Sequence, residues 1–156
     1  MRTQIKYRRI KTMELMIKHF TELSTDELYD IIQARVDIFV VEQKCPYREL
    51  DDKDRDAYHI WLRDENGIIA YLRTLDKGVA FEEASVGRII TVRRGQGYGA
   101  VIMREGIKFA LEKYNTNKLK IMAQHYAKGF YEKFGFVQCS DPFDEDGIEH
   151  IDMILE

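Results

Sequence analysis

The sequence predicts one domain of the α/β (α+β) class, and three observations carry this. Its 156 residues are the length of one ordinary domain. Short β-branched and aromatic runs alternate with stretches of helical period, in the order β-α-β-β-β-α-β-α-β-β. Hydrophobic residues at 45% against 33% charged give a globular balance, with too few apolar positions in a row for a membrane-spanning helix. No internal repeat, low-complexity run or linker divides the chain.

The elements follow in order. Met16–Phe20 reads as a first strand. Ser24-Thr25-Asp26-Glu27 is a capping box, in which Ser24 and Glu27 satisfy each other's free amides. The helix behind it carries Leu28, Ile31, Ile32 and Val36 on one face. Residues 44–57, with Pro46 and a run of acids, read as a loop. Tyr58–Leu62 and Ile68–Leu75 read as strands joined by the hairpin signal Asp64-Glu65-Asn66-Gly67, and Ala84–Val92 as a longer strand. The period then changes: Tyr98, Val101, Ile102, Ile107, Ala110, Leu111 and Tyr114 mark a helix that Asn115-Thr116-Asn117 ends. Leu119–Ala123 is a buried strand, Ala127–Phe134 a short helix closed by Gly135, and Phe136–Cys139 and His150–Leu155 are the last strands.

Charge narrows the partners. The net charge is −3. Residues 1–12 hold Arg2, Lys6, Arg8, Arg9 and Lys11 and no acid; taking those five from the 24 basic residues leaves 19 against 27 acidic, a charge of −8. The expected division is a basic, disordered extension at 1–12 and one folded domain at 13–156. An acidic body disfavours nucleic acid, which needs a basic field, and attracts cationic amines. No membrane partner is expected. Cys45 and Cys139 are too few for a disulfide framework, which points to a reduced, cytoplasmic protein. The four histidines are scattered without metal-ligand spacing, so no metal is expected. Asp141–Gly147 resembles a calcium loop but has Pro142 where a ligand belongs, and reads as an exposed turn.

The sharpest motif is Arg94-Gly95-Gln96-Gly97-Tyr98-Gly99, between a strand and a helix, with Arg93 beside it. Glycines let backbone approach a ligand, and a helix N-terminus presents free amides to an anion. A P-loop would need Lys and Ser/Thr where Ala100 and Val101 stand. A dinucleotide fingerprint would need an acid at the end of the next strand, which runs Met122-Ala123-Gln124. A ligand-free glycine turn is the bland alternative.

Read as Arg-x-x-Gly-x-Gly, this loop resembles the GCN5-related N-acetyltransferase (GNAT) family. A second block, Ala123-Gln124-x-x-Ala127-x-x-Phe130-Tyr131-x-x-Phe134-Gly135-Phe136, is similar to that family's later motif. Arg35-x-x-x-Phe39-Val40-Val41-Glu42-Gln43-x-Cys45-Pro46-Tyr47, then Asp51-Asp52, His59, Gly87-Arg88-Ile89 and Glu145-Asp146-Gly147-Ile148-x-His150-Ile151 resemble its ElaA-like branch. The resemblance runs from about Leu15 to Leu155. It implies a mixed, mostly antiparallel, splayed sheet with helices on both faces, opening between Ala84–Val92 and Leu119–Ala123. It implies acetyl-CoA as co-substrate, contacted by Ile90, Thr91, Val92, Arg94, Gly95, Gln96, Gly97, Tyr98, Gly99 and Gln124. It implies direct acetyl transfer to a small-molecule or peptide amine, with a backbone amide of Ile90–Val92 polarising the thioester and Tyr131 protonating the departing thiolate.

The proton-accepting base stays open among Glu42, His59, His125 and His150, since carboxylates and imidazoles both serve near neutral pH. Each has a structural alternative: a loop anchor for Glu42, a satisfied core histidine for His59. Arg35, Arg73 and Arg88 are either carboxylate-binding or structurally paired. The segment from Arg35 to Glu42 also resembles acyl-homoserine-lactone synthases, and a non-catalytic acyl-CoA sensor is a second rival. The apolar C-terminal strand is a candidate element of a homodimer.

Overall fold

The computed structural model describes residues 13–156; the basic stretch at 1–12 lies outside the described residues. The strands are β1 (Glu14–His19), β2 (Tyr58–Asp64), β3 (Gly67–Leu75), β4 (Ala84–Thr91), β5 (Leu119–Gln124), β6 (Val137–Gln138), β7 (Phe143–Glu145) and β8 (Ile148–Leu155). The helices are α1 (Thr25–Val36), α2 (Tyr98–Lys113) and α3 (Lys128–Glu132). Strand order is β1-β2-β3-β4-β5-β8-β6, with β7 also paired to β8. Every pairing is antiparallel except β4 with β5. The fold is therefore the mixed, mostly antiparallel sheet expected.

Helices cover both faces. On one, Ile102, Met103 and Ala110 of α2 pack with Ile60, Leu72, Val86, Ile121 and Met153. On the other, Ile31 of α1 packs with Trp61, Tyr71 and Ile90. A sheet covered twice buries both sides of its central strands, which is why β2 and β3 read as apolar runs rather than alternating ones. The capping box forms: Ser24 Oγ accepts from Glu27 N at 3.1 Å, and Glu27 Oε1 accepts from Ser24 N at 3.2 Å.

Four local differences from the sequence reading have physical causes. The first strand stops at His19, because Phe20–Glu22 makes a 3₁₀ turn closed by Glu22 on the His19 amide. The helix α1 runs on as a π-helical turn, Asp37–Glu42, so the chain enters the 44–57 region without a break. The Asp141–Gly147 stretch holds a short strand, β7, that hairpins onto β8 through Asp146 (φ 54°) and Gly147 (φ 81°); two positive-φ residues in Asp-Gly order are a primed hairpin turn. Finally, β8 is paired along both edges, to β5 on one side and to β6 and β7 on the other.

Candidate active site

The site begins where the parallel pair fails. Only Ala84–Leu119 and Ser85–Lys120 are in register between β4 and β5. Beyond them β4 bulges: Gly87 faces Arg73 and Ile90 faces Tyr71, three steps on β4 against two on β3, with Arg88 at φ 53°. An extra residue bends a strand and re-aims its backbone. The sheet opens into a cavity of about 910 Å³, walled by Val86–Thr91 on one side and by Ile121, Met122 and Gln124 on the other.

One end of this cavity is the glycine loop. Gly95 (φ 79°) and Gly97 (φ 77°) have open space where a Cβ would sit, so the requirement there is backbone conformation, not room. Gly99 is the reverse case: an added Cβ would lie 2.9 Å from Thr91 Oγ1, so this glycine lets α2 pack against β4. Gly97 caps α2 with no side-chain hydrogen bond, and no acid stands in the first turn. The first amides of this 16-residue helix are left for an anion. Arg94 and Gly99 line the cavity, while Gly95, Gln96, Gly97 and Tyr98 form the turn behind them.

The two loop arginines differ. Arg93 is held by Asp64, with Nη2–Oδ1 at 2.6 Å, and serves the β2–β3 turn. Arg94 pairs with Glu42 at the cavity mouth, Nη2–Oε2 at 2.8 Å, with both side chains exposed. The Arg94 guanidinium holds the Glu42 carboxyl below the usual carboxylate range, which makes Glu42 a weak proton acceptor. Of the expected carbonyl-polarising amides, that of Val92 donates to Ile69 O at 2.8 Å and is not free. Ile90 and Thr91 line the cavity.

The opposite lip comes from the segments after β5. Tyr131 lines the cavity, half-buried, its ring edge-on to Phe130 and Phe136. Burial pushes its phenol up to about 12, so it keeps its proton at neutral pH. Gln124 Nε2 donates to Gln43 Oε1 at 3.1 Å, and Cys45 Sγ donates to Asp146 O at 3.3 Å. The segment 42–45 is thus tied across the cavity to the glycine loop, β5 and the β7–β8 turn.

His59 is not brought to the cavity. It is fully buried, with Nε2 against Asp54 O at 3.0 Å and Nδ1 against the Tyr71 hydroxyl at 2.7 Å. A carbonyl only accepts, so Nε2 donates and Nδ1 accepts; both nitrogens are used. Burial lowers its pKa and keeps it neutral. It is a satisfied core histidine, not a base in contact with an acceptor.

A network that the sequence shows only as separate charges forms the floor. Arg35 Nε donates to Glu49 Oε1 at 2.8 Å and Arg35 Nη1 to Asp54 Oδ1 at 2.6 Å. Arg73 bridges Asp54 at 2.9 Å and Asp51 at 2.6 Å, while Arg88 donates to Glu49 at 2.9 Å. Tyr47 also hydrogen-bonds Glu49. Against the opposing effect of burial, the Arg73 hydrogen bonds and the Arg88 charge hold Asp51 well below the usual carboxylate range, and Arg35 does the same to Asp54. Three arginines face three carboxylates, so the charges of this wall cancel.

Comparison with known proteins identifies its relatives. The acetyltransferase (GNAT) domain family matches residues 24–156. The chain belongs to the GNAT family. Within it, the chain is 35% identical over 144 residues to the protein ElaA of Escherichia coli, covering 88% of this chain and 93% of that one. The ElaA crystal structure superposes with a TM-score of 0.86 at 32% identity, covering 93% of this chain and all of that one. An acyl-CoA N-acyltransferase from Pseudomonas aeruginosa gives the same TM-score and identity, covering 92% of this chain and 99% of that one. A CoA-dependent acyl-homoserine lactone synthase crystallised with isopentyl-CoA matches at TM-score 0.76 and 16% identity, a likeness of fold alone. In GNAT terms, this ElaA-like chain has the glycine loop and the splayed β4–β5 pair expected from its sequence.

Proposed function

We propose that this chain is an acyl-CoA N-acyltransferase that moves an acetyl group directly to a primary amine of a small molecule or peptide. The observation that carries the reading is that one cavity joins the uncapped N-terminus of α2, the cationic Arg94 and the protonated phenol of Tyr131. The residues fit acyl-CoA chemically. Amides of Tyr98 to Ala100 with Arg94 suit a pyrophosphate, the re-aimed backbone of Ile90–Thr91 suits an extended amide arm, and Gln124 closes the far side.

The acyl-CoA supplies an activated thioester, whose C–S bond breaks as the C–N bond to the amine forms. The chain supplies the rest. A β4 amide on the cavity side donates to the carbonyl oxygen as charge gathers there. Tyr131 gives its proton to the departing sulfur and recovers one from solvent. Glu42 holds Arg94, and is not needed as the base. The free thiols at Cys45 and Cys139 support a reducing, cytoplasmic setting.

Tyr131→Phe tests the reading. Its turnover should fall about 10²-fold or more, while acetyl-CoA affinity stays within a few-fold of the parent. Unchanged turnover would remove Tyr131 as the acid.

A further inference from the structure

Removal of the amine's proton has no owner among the groups so far described. Glu42 is paired with Arg94, Asp51 with Arg73 and Arg88, and His59 is used at both nitrogens. His125 pairs with Glu149 and does not line the cavity. We propose that His150, on β8, is the proton acceptor for the acceptor amine, through its Nε2, and that the amine therefore docks between the β7–β8 hairpin and the loop that begins at Cys45. The proposal rests on the acyltransferase reading and assigns that reading its missing base.

Three observations support it. His150 is 9% exposed yet lines the cavity. Its Nδ1 stands 2.7 Å from the backbone carbonyl of Ile148, which only accepts, so Nδ1 carries the proton. Nε2 is then the basic nitrogen, and among the described residues it has no hydrogen-bond partner. The ring is also fixed: it stacks on Phe143 at 6.2 Å and 24°. A base set in one tautomer and one orientation needs no reorganisation before it works.

Its position agrees with the path of the reaction. His150 faces Gln124 across the β5–β8 register, at the end of β5 where the sheet has opened. Tyr131 follows β5 on the same chain segment, and Ile90–Thr91 stands on the facing strand. The acid and the base thus reach one cavity from separate elements. Glu145 and Asp146, exposed in the hairpin turn, and Cys45, whose thiol donates to Asp146 O, line the same cavity. The carboxylates are solvated where they stand, and their charge favours arrival of an ammonium.

The proton balance is complete. Nε2 takes a proton from the ammonium, leaving a neutral amine whose lone pair attacks the thioester carbon. As the C–S bond breaks, the attacking nitrogen sheds its second proton to solvent, and Tyr131 protonates the sulfur and regains a proton from solvent. The imidazolium then returns its proton to solvent, so one proton is released per turnover of an ammonium acceptor.

The test compares two acceptors with the full chain and acetyl-CoA. An alkyl primary amine is protonated at neutral pH and needs a base; hydroxylamine is already mostly neutral. His150→Gln should lose about 10²-fold in kcat with the alkyl amine, stay within a few-fold with hydroxylamine, and keep the acetyl-CoA thermal shift. Equal losses with both acceptors, or none with either, would overturn the assignment. If the variant does not fold, nitrogen-15 NMR of the parent's histidine rings decides. The structure requires that Nδ1 of His150 carry a proton, and a ring protonated at Nε2 alone would overturn the proposal. That spectrum needs no acyl-CoA, so it stands apart from the acyltransferase reading, whose own failure would show as no acetyl-CoA binding by the parent.

Discussion

The two ends of the cavity treat charge in opposite ways. At the floor, Arg35, Arg73 and Arg88 are paired with Glu49, Asp51 and Asp54 inside the protein. At the glycine loop, α2 starts without a side-chain cap, and Arg94 meets Glu42 only at the exposed rim. Buried charge must be neutralised where it stands, because desolvation costs several kcal/mol per ion when it is not. A ligand site needs the reverse, donors that the protein leaves for something else. The contrast separates framework from function even though both regions are rich in arginine.

The floor should give the largest effect. Asp54→Asn leaves Arg35 and Arg73 short of a buried carboxylate and should cost about 3–5 kcal/mol in denaturant unfolding, while the acetyl-CoA thermal shift of the remaining folded protein persists. A loss under 1 kcal/mol would mean that the network is not a stability element. The same wall sets an acid signature. Asp51 and Asp54 sit below their unfolded values, so the stability they contribute is full above about pH 4 and is lost as pH falls below it. Thermal melts between pH 7 and pH 3 should be flat in this contribution until about pH 4 and steepen below, and Asp54→Asn should flatten that slope.

The loop should show the complementary pattern. Arg94→Ala should weaken CoA binding about tenfold or more in calorimetry, since a charge-assisted hydrogen bond is lost, with little change in the melting temperature. Equal damage to binding and melting would make Arg94 another framework arginine. Smallest is Glu42→Gln. It releases Arg94 from an exposed pair and should tighten CoA binding about two- to fivefold, with stronger salt dependence. Looser binding in that variant would mean that Glu42 itself holds the ligand.

Much of the fold was legible because local chemistry and tertiary context agreed. The Ser24–Glu27 box, the Asp64–Gly67 turn and the Gly135 cap each act within a few residues, and each formed where its signal stood. What escaped was non-local. The π-helical turn after α1 has no signature of its own, and β7 is three residues whose strand character comes from pairing with β8. Asp146-Gly147 was the available sign of that hairpin. In the site, the glycine loop was readable from spacing, but Thr91 as the reason for Gly99 was not, because it lies across a strand–helix contact. The acids of the 49–54 loop were visible as a run, while their pairing with Arg35, Arg73 and Arg88 depends on three elements meeting. His59 and His150 are not told apart by their sequence neighbourhoods: each stands on a strand with an isoleucine after it. They part only when one proves to face Asp54 and Tyr71, and the other the cavity.

The most direct test of the central claim is a thermal-shift titration of the full chain with acetyl-CoA, CoA and NAD. At 100 times its dissociation constant a ligand adds about 2.7 kcal/mol, roughly 5–10 °C for a domain of this size. A shift of that order with acetyl-CoA and CoA but not with NAD is the predicted result. No shift with either thioester or thiol, on folded protein free of copurified ligand, would contradict it and reduce the Arg94–Gly99 loop to a turn.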